Sequence, residues 1–127
     1  MKSRVLIVED CDATRVGLSQ LLQQAGFDIV ATANGADALA FLQDGHVAHA
    51  IVLDAVMPVM DGWTFRRAQL ADPWIADIPV VALTAVSAYA AAGLSDTVVF
   101  QKPLDVDRLV DALRMICHHS QRAHRSL

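Results

Sequence analysis

The sequence has 127 residues, 54% of them hydrophobic and 19% charged, with a formal net charge of −4. That length and hydrophobicity fit one packed domain and exclude a disordered chain. The acidic balance argues against non-specific nucleic-acid binding, which draws on excess Lys and Arg, and no apolar run approaches the roughly 18–20 residues of a membrane span.

The start, Met1 to Arg4, is basic, and residues 5–8 form an apolar run that ends in Glu9 and Asp10. The run is too short for a signal-peptide core, so a cytoplasmic protein is expected. Helical spacing predicts a helix over residues 13–25, with Val16, Leu18, Leu21 and Leu22 facing inward and Gly26 as its stop. Residues 27–32 read as a strand. Asn34-Gly35 reads as a turn before a short helix over 36–43. A second apolar run, 50–53, ends at Asp54. Residues 63–70 look helical. A third run, 79–83, ends at Thr84. A brief helix is predicted over 88–92, and a fourth run, 98–100, ends near Lys102-Pro103. An amphipathic helix over 105–117 closes the pattern, with Val106, Leu109, Val110, Leu113 and Ile116 on one stripe. The polar, basic segment 118–127 has no core-facing period and is expected to be frayed. The domain is therefore placed at 1–117, with a tail at 118–127. The start at Met1 and such a tail are expected of a stand-alone gene product.

Apolar runs that do not alternate are strands buried on both faces, which go with a parallel sheet covered by helices. Five such βα repeats predict an α/β, doubly wound, five-stranded parallel sheet with helices on both faces. Ligands in such a fold bind at the carboxyl ends of the strands.

The polar residues that interrupt the apolar pattern fall at those ends: Glu9 and Asp10, Asp54, Thr84 and Lys102. One rim then collects three carboxylates, a hydroxyl and an ammonium. Crowded carboxylates either raise a pKa or bind a cation. Hard oxygen donors with open positions suit Mg²⁺, which favours one or two carboxylates plus a phosphate oxygen. An Asp beside that metal is a nucleophile toward a phosphoryl group. The metal, Lys102 and Thr84 are the donors available to neutralise the phosphoryl oxygens. The set is coherent as an aspartyl-phosphate site. Taken singly, each residue also has an ordinary structural use as a turn, loop or strand-end residue.

The segments Val5-Leu6-Ile7-Val8-Glu9-Asp10, Asp54-Ala55-Val56-Met57-Pro58-Val59-Met60-Asp61-Gly62, Ala82-Leu83-Thr84-Ala85 and Lys102-Pro103-Leu104 resemble those of the two-component response-regulator receiver family. The spacing of 44 positions from Asp10 to Asp54 also suits that family. The resemblance runs from about Arg4 to Cys117 and is closest to single-domain, chemotaxis-regulator-like receivers. It implies a flavodoxin-like strand order 2-1-3-4-5. It implies Asp54 as phosphoacceptor, supplied by a sensor histidine kinase or a histidine phosphotransfer protein. It further implies Mg²⁺ held by Asp10, Asp54 and the Val56 carbonyl, with Glu9 on a metal-bound water. Lys102, Thr84 and the Ala85 amide would contact the phosphoryl group. Such a protein is no enzyme beyond its own phosphorylation and slow dephosphorylation, and it signals by contact with a downstream protein that the sequence does not identify.

Two features depart from the family pattern. Val99 stands three residues before Lys102, where the family often has a switching Tyr or Phe, and Phe100 faces the other way on a strand. The stretch between Thr84 and Lys102 is also short by roughly one helical turn. Signal output by an unusual partner or face is the consequence. Val56 and Val86, two residues after the acceptor and after Thr84, are apolar and cannot orient an attacking water, so slow loss of the phosphoryl group is expected.

An alternative is a receiver-like protein-binding module that works without phosphorylation. A phosphohydrolase would need an acid two residues after its nucleophile, where Val56 stands. Dinucleotide binding would need a glycine-rich loop after the first strand, and none is present. Cys11 and Cys117 have no paired spacing and are expected as reduced thiols. Trp63 and Trp74 are expected to be packing residues. None of the five histidines falls at a strand end beside the carboxylates.

Overall fold

In a computed structural model of the chain, residues 2–54, 62–84, 98–101 and 105–125 are described, without side chains at 62, 63, 84, 98–101 and 119–125. Strands β1 (Arg4–Val8), β2 (Asp28–Thr32), β3 (Ala50–Asp54), β4 (Val80–Thr84) and β5 (Val98–Gln101) alternate with helices α1 (Asp12–Gln24), α2 (Gly35–Gln43), α3 (Gly62–Ala71) and α4 (Val106–Arg125). The sheet is parallel throughout and its order is β2-β1-β3-β4-β5, as the sequence leads one to expect. The predicted helix over 88–92 lies outside the described residues.

The non-alternating strands are buried on both faces because successive side chains point to opposite sides of the sheet. Val5, Ile7, Ala50, Val52, Val81 and Leu83 pack on one side against Leu18 and Leu22 of α1 and Leu109, Leu113 and Cys117 of α4. Leu6, Val8, Ile51, Leu53 and Val80 pack on the other against Leu39 and Leu42 of α2 and Phe65 of α3. Reversal of strand order beside β1 sends helices to both faces, and it opens a crevice at the carboxyl ends of β1 and β3.

Helix ends follow from particular residues. Gly26, at φ 102°, ends α1 in a Schellman turn: the Phe27 amide donates to the Leu22 carbonyl at 3.1 Å and the Gly26 amide to that of Gln23 at 3.0 Å. Asn34 caps α2, accepting from the Asp37 amide at 2.8 Å while its own amide nitrogen donates to the Asp37 carboxylate at 3.2 Å. The predicted Asn34-Gly35 turn is thus the first step of the helix, which begins at Gly35 and not at Ala36.

Three expectations need correction. Val16 and Leu21 are 53% and 44% exposed. At about 100° per residue only Leu18 and Leu22, four apart, share the inward line, and Val16 falls on the opposite side. Trp74 is 92% exposed on the connection between α3 and β4 and packs nothing inward; the side chain of Trp63 is outside the described residues. Finally, α4 runs on to Arg125 instead of fraying at His118. No Gly or Pro interrupts residues 118–125, so a helix nucleated by packing at Leu109 and Leu113 propagates at little cost.

Candidate functional site

Glu9, Asp10 and Asp54 meet at the carboxyl ends of β1 and β3. One carboxylate oxygen from each lies within 4.8 Å of the others. Sheet register is the reason. Val8 pairs with Leu53, so the next residues of both strands reach the rim together. The Glu9 amide donates to the Thr32 carbonyl at 3.0 Å, fixing the turn out of β1 against β2. Glu9 and Asp54 are buried, at 3% and 7% exposure, while Asp10 is exposed. The cluster therefore has a closed floor and an open mouth.

Three carboxylates so close repel unless a cation or proton joins them. Their hard oxygens, the open side at Asp10 and the absence of a described His or Cys in the group fit a hard divalent cation such as Mg²⁺. His46 instead stacks on Phe41 with ring centroids 4.5 Å apart, and His49 accepts the Arg4 amide on Nδ1 at 2.9 Å.

Thr84 ends β4 and is the register partner of Gln101 in β5, one step beyond the Asp54–Leu83 pair. Its backbone is thus on the same rim as the acids. Lys102, Ala85 and Val56 lie outside the described residues, as do Val86 and the 56–61 stretch of the acceptor motif. Val99 is in β5, paired with Ala82.

Two residues were not singled out in the sequence: Arg15 at this site, and Gln69 at the entry to β4, the opposite end of the sheet. Arg15, in the second turn of α1, donates from Nη1 to the Glu9 carbonyl at 2.9 Å and to the Asp10 carbonyl at 3.4 Å, and pairs through Nη2 with the Asp12 carboxylate. Five positions from Asp10, it reads in sequence only as a helix-surface cation. Gln69 of α3 is wholly buried and ties down the approach to β4. It accepts from Arg66 Nη1 at 2.7 Å and donates through Nε2 to the carbonyls of Ile75 at 2.8 Å and Ile78 at 2.9 Å. An isolated Gln in an amphipathic helix carries no such signal. Cys11, next to Asp10, is an exposed thiol whose pKa is lowered by hydrogen bonds from the Thr14 side chain and amide.

The profile of the response regulator receiver domain matches residues 5–114. The chemotaxis protein CheY of Bacillus subtilis is 32% identical over 118 residues, which span 89% of this chain and 96% of that protein. The sensor kinase CckA of Brucella abortus is 42% identical over 64 residues, half of this chain and 7% of the kinase. The chain spans between 7% and 34% of the length of the first curated relatives it matches. Among solved structures, Vibrio cholerae CheY4 superposes with a TM-score of 0.81 at 28% identity, covering 91% of this chain and 99% of that one.

Proposed function

Because the chain belongs to the response regulator receiver domain family of two-component signalling, we propose that it is a phosphorylation-dependent switch whose acceptor is Asp54. The observation that carries this reading is the convergence of Glu9, Asp10 and Asp54 at the switch point of the sheet. Phosphorylation switching is general in the family, whose members are signalling proteins that interact with histidine kinases and downstream targets.

In this reading Asp10 and Asp54, with the Val56 carbonyl, would hold Mg²⁺, and Glu9 would orient a water bound to it. When bound, the metal neutralises phosphoryl charge and offsets the repulsion among the acids. The Asp54 carboxylate attacks the phosphorus of a phosphohistidine, the bond to the donor nitrogen breaks with its electron pair, and an acyl phosphate forms. Lys102, the Thr84 hydroxyl and the Ala85 amide stabilise the phosphoryl oxygens. The donor is a sensor histidine kinase or a histidine phosphotransfer protein. The output is contact with another protein, in the cytoplasm. A stand-alone receiver is the form supported by the match over 96% of CheY. No helix among the described residues is long and apolar enough to cross a membrane.

The test is incubation with acetyl phosphate, with and without Mg²⁺, read by intact mass beside Asp54→Asn. The expected result is a gain of one phosphoryl group that requires both Mg²⁺ and Asp54. No adduct from acetyl phosphate or from any sensor kinase would instead favour a binding module independent of phosphorylation.

A further inference from the structure

The strand end that carries Glu9 and Asp10 has a difficulty of its own. Two successive acids must be held beside a third, and Asp10 is exposed, with no packing to place it. The fold answers with a single guanidinium. Arg15 Nη1 binds the carbonyl of Glu9 at 2.9 Å and that of Asp10 at 3.4 Å, and its Nη2 holds Asp12. Arg15 is itself anchored, since its amide donates to the Cys11 carbonyl at 2.8 Å and its carbonyl accepts from Ser19 Oγ at 2.7 Å. Its side chain is only 20% exposed.

The choice of partners matters. The guanidinium takes backbone carbonyls and a carboxylate outside the cluster. The fork thus acts on the backbone that bears the two acids. A planar fork can grip two successive carbonyls and a third group at once, which a lysine ammonium on a flexible stem does not reproduce.

We propose that Arg15 is a positioning residue for the metal, a fork that fixes the Glu9–Asp10 backbone so that both carboxylates face the cation; this rests on reading the cluster as a Mg²⁺ site. Two effects oppose each other. A positive charge nearby weakens cation binding by repulsion, and a fixed ligand geometry strengthens it. Geometry wins here, because the charge is already paired with Asp12 while the carbonyl bonds act directly on the ligand-bearing residues.

The experiment is Mg²⁺ titration by calorimetry on the whole chain and on Arg15→Gln, Arg15→Lys, Asp12→Asn and Asp54→Asn. Arg15→Gln is expected to weaken Mg²⁺ binding roughly tenfold, in the range found when groups orienting metal ligands are lost. At saturating Mg²⁺ its phosphorylation by acetyl phosphate should stay within about twofold of the unmodified chain, the mark of lost binding and not of lost chemistry. Arg15→Lys keeps the charge without the fork and should resemble Arg15→Gln, and it serves as the folded variant if Arg15→Gln does not fold. Asp12→Asn unpairs the guanidinium but leaves its carbonyl bonds, and should weaken Mg²⁺ binding less than either Arg15 variant. Unchanged or tighter binding in both Arg15 variants, with Asp54-dependent binding in the parent, overturns the role of Arg15 alone. No Mg²⁺ binding by the parent overturns the metal site and this role together.

Discussion

Val8 of β1 and Leu53 of β3 are direct register partners, which sets the next residues, Glu9 and Asp54, at one level of the sheet's rim. Nothing local to either strand requires this. A slip of one residue would exchange the side chains a strand gives to the two cores, Val5 and Ile7 on one face and Leu6 and Val8 on the other, and misfit both, so core packing holds the acids together against their repulsion.

That repulsion is measurable. With carboxylate oxygens within 4.8 Å, Asp54→Asn is expected to stabilise the metal-free protein by roughly 1 to 3 kcal/mol, the range spanned by one like-charge contact between bulk-water and near-surface dielectric. Urea unfolding in EDTA measures it. Saturating Mg²⁺ should reverse the order of stability, because the parent then gains more from the cation.

Gln69 joins α3 to the segment that enters β4. Gln69→Leu keeps the volume, strands two carbonyls and takes one acceptor from Arg66 Nη1. The expected loss is about 2–4 kcal/mol, read as a lower urea midpoint with an unchanged slope. A change under about 0.5 kcal/mol would show that water replaces the side chain at no cost.

The two thiols should behave oppositely. Cys11 is exposed and Cys117 is 1% exposed, so a thiol reagent on the native protein should modify one site quickly and the second only on unfolding. Burial pushes the Cys117 thiol up from 9.0 to about 11, against a weaker pull from its hydrogen bond with Ser3. The folded state therefore favours the protonated thiol. Its contribution to stability is complete below pH 9 and is lost as pH rises from 9 to 11. Cys117→Ala should lack this alkaline loss when denaturant midpoints are compared across that window.

Trp74 contributes no burial. Trp74→Ala should change stability by less than about 0.5 kcal/mol, and the substitution should remove a red-shifted, solvent-like component of the fluorescence.

The acyl phosphate is expected to persist for many minutes or longer after acetyl phosphate is removed, since Val56 and Val86 offer an attacking water no partner. Loss of the phosphoryl mass within seconds would refute this. Val56→Asn, which supplies a polar group, should shorten the lifetime.

Most of the architecture was legible in the chain. The apolar runs ending in Glu9, Asp54 and Thr84 mark buried parallel strands, because only a strand covered on both faces has no need to alternate. Gly26 marks the end of α1, because a left-handed residue is needed there. The same strand ends carry the acids, so the composition of the site was written in the places where the apolar pattern breaks.

What the pattern did not contain was decided by contacts between distant segments. Apolar residues at mixed helical spacing do not say which line meets the sheet, and only packing left Val16 and Leu21 outside while Leu18 and Leu22 went in. Hydrophobicity does not say that Trp74 lies on a connection with nothing above it, nor that α4 continues to Arg125. Arg15 and Gln69 look like solvated helix residues until the backbone carbonyls they bind are brought to them. The sequence by itself determined which groups stand at the strand ends, since burial of each strand is a property of its own side chains. Tertiary structure alone decided the distances among Glu9, Asp10 and Asp54 and the fork that holds two of them, since these depend on register and helix placement that no single segment encodes.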